Sequence, residues 1–455
     1  MTSKKQSPRI HCAILTSFGK KAGGGHLHRA QKIAHILKSY LCEKSKNIDF
    51  AILNSEEKGQ KNWTFLSEFR AIMAKYAFII IDSYEVKSRH FKALLKEQKK
   101  QKSNKVLILD DGAKFLDFVR EGFAKKMRAK NAKKRADFAN ALRGVYVLNG
   151  GLSSENLLKD FTKKLAKKTA KKINNLGAKK TNNLCVKNRA LNATFHRLGV
   201  GLDFEILRDF LKNNVFYGAK FFIKNTDFDF AQKFAKKRLI KPRIKDMLIT
   251  FGASDSLNYT QKVSNMLFKI ILQDTNLSSI LDSSICIHIV LGGFYPHSFY
   301  PKSSMASQKS KQKSSPSSQR IKITHKIYQN LSSKKLARVM RKCDIAISAG
   351  GQSLYELAQS TLPFVIIPTT SNQLSQSSAF AKKTGAILLK NAPPNTRPNT
   401  HNNTKNHKIL RQNLATSLCS LSQKKRAKIS QNLAKLELGK SSIDIARRFL
   451  GQDLG

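Results

Sequence analysis

A histidine at a glycine-rich strand-to-helix turn is the residue of this chain best placed to move a proton. The run Gly23-Gly24-Gly25-His26-Leu27-His28-Arg29 supplies one, and an imidazole there can act as a general base on a nucleophile brought to it. The same place also suits a histidine that does no more than cap the turn. A second glycine turn, Gly350-Gly351, precedes a helical pattern that opens at Ser353. Unpaired N–H groups gather at such a turn and favour an anion. Glu356 falls in the first turns of that helix, where a carboxylate can accept hydrogen bonds from a ribose diol. Asn372-Gln373 follow the next apolar run, although one βαβ unit whose glycines serve only the turn would share the Gly-Gly pair. His26 and His28 are two apart and point to different helix faces, so they make no metal pair. No His/Cys/Asp/Glu cluster shows metal-ligand spacing, and neither a GxSxG elbow nor a Walker loop occurs. No metal and no cofactor is therefore expected.

Apolar runs predict the elements that position these residues. Strands are expected at Ile10 to Leu15, Phe78 to Ile81, Val106 to Leu109 and Val145 to Leu148 in the first half. The second half restarts the pattern with Met247 to Phe251, Ile285 to Leu291, a short Ile321 to Thr324, Ile345 to Ile347 and Phe364 to Ile367. The helix after the first turn carries Leu27, Ala30, Ile33, Ala34 and Leu37 on one face. Polar residues directly after the strands, such as Asp82-Ser83-Tyr84, Asp110-Asp111-Gly112 and Gly252-Ala253-Ser254-Asp255, line the carboxyl edge of a sheet, where α/β folds bind ligands. The expected fold is α/β, with two doubly wound Rossmann-like domains facing a cleft: 1–235, carrying the histidine loop, and 236–455. Lys-rich insertions are expected around 122–140 and 160–190, and low-complexity loops around 301–320 and 391–408.

The chain has 455 residues and a formal net charge of +55, from 84 basic and 29 acidic residues. Such a field attracts anionic ligands, nucleic acid and anionic membranes without selecting among them. The lysines concentrate in the insertions and are not interleaved with aromatics as a base-stacking surface requires, so a dedicated nucleic-acid function is not expected. The six cysteines are scattered with no CxxC pair, as reduced residues of a cytoplasmic protein would be. Met1 to Arg9 is polar, so no signal peptide is expected, and no apolar run is long enough to span a membrane.

Several of these segments recur together, in order, in one family. They are Gly23-x-Gly25-His26-x-x-Arg29, Ile81-Asp82-Ser83-Tyr84, Leu109-Asp110-Asp111 and Asn149. In the second half come Thr250 to Asp255 with Asn258, and Ser348-Ala349-Gly350-Gly351 with Glu356, Pro363 and Asn372-Gln373. The set resembles the UDP-2,4-diacetamido-2,4,6-trideoxy-β-L-altropyranose hydrolases of pseudaminic acid biosynthesis, which are GT-B-like. The resemblance implies metal-independent hydrolysis of a UDP-sugar at the anomeric C–O bond, with inversion and with water as acceptor. It implies that His26 is the general base and that Glu356 holds the ribose. It places Gly23, Gly25, Arg29, Asp82, Tyr84, Gly252, Ser254, Asp255, Gly350, Gly351, Ser353, Asn372 and Gln373 around the substrate. Leu15 and Ser17 stand where that family usually carries Arg and Asp, and Ala253 replaces a glycine. A GT-B glycosyltransferase, or a nucleotide-sugar-binding homologue without activity, shares the same residues.

Overall fold

The computed structural model describes residues 9–126, 137–161, 207–228, 238–301, 321–389 and 400–451, apart from internal gaps of at most seven residues. Gly23, Tyr84 and Asp111 lie outside the described residues, as do most of the Lys-rich stretch 160–190 and all but the first residue of 301–320.

The first unit is built on strands β1 (Ile10–Thr16), β2 (Ile48–Asn54), β3 (Phe78–Asp82), β4 (Lys105–Leu109), β5 (Val145–Asn149) and β6 (Val215–Tyr217). They form one parallel sheet in the order β2-β1-β3-β4-β5-β6. The residues from Ala13 to Leu15 are fully buried, because a parallel strand covered on both faces needs apolar side chains in both directions. One face packs under α2 (Leu66–Lys75), α3 (Ser88–Lys100) and α4 (Lys114–Lys126), through Phe69, Leu94 and Phe115 among others. The opposite face packs under α1 (Gly25–Cys42), through Ala30, Ile33 and Leu37. Helices on both faces make the unit doubly wound, as expected.

The second unit is built on β7 (Ile244–Thr250), β8 (Leu281–Leu291), β9 (Lys322–Gln329), β10 (Ile345–Ser348), β11 (Phe364–Ile366) and β12 (Ile387–Leu388). Its sheet is also parallel, in the order β12-β11-β10-β7-β8-β9. Numbered from its own first strand this is 6-5-4-1-2-3, the dinucleotide-fold order read from the other edge. Helices α5 (Tyr259–Gln273), α6 (Ser333–Lys342), α7 (Ser353–Gln359), α8 (Leu374–Thr384), α9 (Thr400–Cys419) and α10 (Gln423–Ala434) complete it.

Three details differ from the sequence reading. The segment from Gly439 to Gly451 clusters with the first unit rather than with the second, whose main span begins at Lys224. The cause is α11 (Ser442–Leu450), whose Ile445, Ala446, Phe449 and Leu450 fill the core beneath α1. Part of the expected loop 391–408 is helix, since α9 starts at Thr400. Strand β9 runs to Gln329 rather than Thr324; as the edge strand it breaks up its apolar residues with Lys322, Thr324, Lys326 and Gln329, which hides it from an apolar-run search.

Candidate active site

In an open α/β sheet the ligand crevice opens at the carboxyl ends of the strands where the winding reverses. In the first unit that place lies between β1 and β3. Asp82 ends β3, paired in register with Thr16 at the end of β1, and its side chain is fully buried. Gly25 and His26 are the first two residues of α1. His26 Nδ1 lies 2.6 Å from Asp82 Oδ1. One turn on, Arg29 donates from Nε to Asp82 Oδ2 at 2.8 Å and from Nη2 to Oδ1 at 2.5 Å. Burial by itself would raise the Asp82 carboxyl, but the Arg29 guanidinium, its hydrogen bonds and that of His26 outweigh it and hold the group below the usual carboxylate range. An ionised carboxylate only accepts, so His26 Nδ1 carries the proton and Nε2 becomes the basic nitrogen of the ring.

A serine network surrounds this trio. Ser17 Oγ, after β1, lies 2.7 Å from Ser55 Oγ after β2 and 2.5 Å from Ser83 Oγ after β3. Leu15 is wholly in the core, so its position cannot serve a ligand. Asp110 serves the fold, since its Oδ2 accepts from the N–H groups of Phe115 and Leu116 and caps α4. A small pocket is lined by His26, Arg29, Ser83, Asp110 and Lys114, with Phe91 on its apolar side. The part of Ser55 is absent from the sequence reading, which did not pick out β2 although Phe50 to Leu53 is an apolar run.

In the second unit the winding reverses between β7 and β10, where Thr250 and Ser348 are paired in register. The two predicted loops leave these neighbouring strands. After β7, Gly252 adopts φ +86°, and Ser254 is half-buried in the same turn. Asp255 accepts from the N–H groups of Tyr259 and Thr260 at 2.8 and 2.7 Å, so both its oxygens hold the start of α5. Burial pushes its carboxyl up, against those same bonds. After β10, the Gly350 N–H donates to Gln373 Oε1 at 3.0 Å, and the Thr369 N–H donates to the same oxygen at 2.9 Å. Gln376 Nε2 donates to the carbonyls of Gly350 and Gly351 at 3.0 and 2.9 Å. A Cβ on Gly350 would lie 2.2 Å from Ser377 Oγ and 2.9 Å from Gln373 Cβ, so only glycine fits.

Gln373 therefore braces the glycine turn through its amide oxygen. Asn372 is exposed and accepts from Thr370 Oγ1. Ser353 opens α7, and Glu356 lies half-buried on its first turn. Leu354 and Tyr355 donate their N–H groups back to Gly351 and Gln352. Gly351, Gln352 and Ser353 stand at the start of this helix, where N–H groups have no partner in a preceding turn. Gln376, a turn further along, also braces the glycine turn and is absent from the sequence reading; nothing in its linear context marks it.

Fold and site thus define a chain of two Rossmann-like α/β units, with a His–Asp–Arg group at the switch point of one and a glycine turn at that of the other. No protein-family model matches the chain. A bifunctional protein of Helicobacter pylori, the pseudaminic acid cytidylyltransferase and UDP-2,4-diacetamido-2,4,6-trideoxy-β-L-altropyranose hydrolase, is 48% identical over 59 residues, which is 13% of this chain and 11% of that protein. Among solved structures, Acinetobacter baumannii MurG matches with a TM-score of 0.43 at 12% identity, covering 96% of this chain and 99% of MurG. The Methanocaldococcus jannaschii UDP-GlcNAc 2-epimerase, solved with UDP-GlcNAc and UDP, gives 0.37 at 13% identity, covering 96% and 99%. Neither structure reaches a TM-score of 0.5, and the fold stands on the strand orders given above.

Proposed function

We propose that this chain hydrolyses a UDP-sugar of the 2,4-diacetamido-2,4,6-trideoxy type, releasing UDP and the free sugar without a metal ion. The observation that carries the reading is the His26–Asp82–Arg29 group at the switch point of the first unit. The local identity with a protein named for that hydrolysis supports the choice of reaction, and the glycine turn of the second unit supports a diphosphate ligand.

In this reading Asp82 holds Nδ1–H and fixes the ring, and Nε2 takes a proton from water as its oxygen attacks the anomeric carbon. The C–O bond to the β-phosphate breaks, and UDP leaves with the electron pair. Attack opposite the leaving group inverts the anomeric configuration. Asp82 stabilises the imidazolium formed, and Arg29 keeps Asp82 ionised. By itself, the glycine turn of the second unit suits the diphosphate of a UDP moiety, and Glu356 suits its ribose hydroxyls.

The test is UDP release from UDP-2,4-diacetamido-2,4,6-trideoxy-β-L-altropyranose by the purified chain, beside His26→Ala and Glu356→Ala. His26→Ala should abolish release and leave UDP affinity nearly intact; equal loss of both would remove the general-base role. Glu356→Ala should weaken UDP binding, and an unchanged dissociation constant would refute its ribose contact. UDP binding by the parent chain without any release would point to a transferase or a different sugar.

A further inference from the structure

At the amino-terminal half of the second sheet, away from both glycine turns, the strand register gathers three residues far apart in the chain. Asp246 on β7 is paired with Cys286 on β8, and His288, two residues on, shares the face of Cys286. The carboxylate oxygen, thiol sulfur and imidazole nitrogen all lie within 4.8 Å of one another. His288 Nε2 is 2.8 Å from Asp246 Oδ1. His288 is fully buried and Asp246 nearly so, whereas Cys286 is half-buried and carries a free thiol. On the far side of the ring, His288 Nδ1 lies 3.0 Å from the Tyr328 hydroxyl, with the two rings stacked.

We propose that Asp246, Cys286 and His288 form a binding site for a borderline-soft divalent cation of the zinc class. The donor set is one thiolate, one imidazole and one carboxylate, which suits zinc and leaves a fourth position for water. A tetrahedral zinc sets such donors roughly 3.3–3.8 Å apart, so closure needs side-chain adjustments of about 1 Å. Binding forms the metal–sulfur, metal–nitrogen and metal–oxygen bonds and releases the thiol proton to solvent. The proton that His288 Nε2 shares with Asp246 moves to Nδ1, where the Tyr328 oxygen can accept it. Tyr328 can donate to or accept from the ring, so it supports His288 with or without the metal. Lys241 and Lys342 lie 3.6 and 3.7 Å from Asp246, with side chains 42% and 53% exposed. They balance its charge in the absence of metal and can swing into water when a cation takes their place. The site is independent of the proposed reaction, since the glycine turns follow the carboxyl ends of β7 and β10 whereas Asp246 lies near the start of β7.

Cobalt is the probe of choice, because a cobalt–thiolate bond absorbs in the near ultraviolet. The chelator-treated 455-residue chain, titrated with Co²⁺, should gain such a band that saturates at one equivalent and is displaced by Zn²⁺. Cys286→Ser should abolish the band while the chain stays folded by circular dichroism. His288→Gln, which keeps hydrogen-bonding capacity but removes a ligand nitrogen, should weaken Co²⁺ binding by more than the roughly 10- to 100-fold that loss of an outer-shell partner costs. No band in the parent chain, or a band that persists undiminished in Cys286→Ser, would overturn the site and leave Asp246, His288 and Tyr328 as a hydrogen-bonded relay within the sheet.

Discussion

At the scale of single residues, Asp82 decides the chemistry assigned to His26. It is the buried acceptor that selects one tautomer, and Asp82→Asn keeps its shape while removing its charge. UDP release should fall by about 10²–10⁴-fold with UDP affinity unchanged; a fall below threefold would mean that His26 needs no oriented partner. The same substitution has a pH signature. A carboxyl held below its usual range stabilises the fold above the unfolded value of about 4, and that stabilisation is lost as the pH falls through the folded value. Asp82→Asn also removes the carboxylate that two Arg29 nitrogens bond in a buried setting. It should therefore cost about 3–5 kcal/mol at neutral pH, with the difference from the parent narrowing below about pH 4 in urea titrations. Since proton transfer is assigned to His26, excess EDTA should leave UDP release unaffected. Full inhibition reversed by a divalent cation would contradict that assignment.

At the scale of elements, the two glycine turns of the second unit are glycine for different reasons. Gly350 is crowded by Ser377 and Gln373 from the start of α8, whereas Gly252 has open space and a left-handed φ. Gly350→Ala should displace α8 from the turn, costing about 1–3 kcal/mol and weakening UDP binding. Gly252→Ala meets no neighbour and carries only conformational strain, on the order of 1 kcal/mol. Thermal denaturation and UDP titration of the two variants separate these cases, and equal effects would show that crowding at Gly350 is relieved without moving α8. Asp110 and Asp255 show a shared element-level device. Each follows a strand and caps the next helix through two backbone N–H groups, which fixes where that helix begins at the carboxyl edge of its sheet.

At the scale of the whole molecule, the first unit takes in both strand β1 and helix α11, far apart in sequence. Ile445, Phe449 and Leu450 are almost wholly buried against the first unit, and burial of three such side chains is worth roughly 5–9 kcal/mol. That equals the stability of many whole domains. A chain truncated after Leu438 should lose the cooperative unfolding of the first unit while the second still melts as a unit. Retention of both transitions in calorimetry would show that α11 is dispensable. The excess of basic residues acts at this scale as well, as a field that draws anions of every kind. Among the described residues no helix is long and apolar enough to cross a membrane.

The sequence alone determined the alternation of buried strands and amphipathic helices, because burial on both faces of a parallel strand demands an uninterrupted apolar run. It also placed His26, Gly252 and Gly350 at strand-to-helix turns, since backbone conformation there is a local property. Tertiary structure decided everything that depends on register and on winding order. Linear spacing could not show that Asp82 accepts from both His26 and Arg29, that Gln373 braces a turn 23 residues behind it, or that Asp255 is occupied as a cap. Nor could it show that Asp246 meets Cys286 and His288 across two strands. Those contacts arise because parallel pairing brings residues of distant sequence side by side on one face. The last helix followed the same logic: its apolar stripe is legible in sequence, but which sheet it covers depends on where an unfilled face remains.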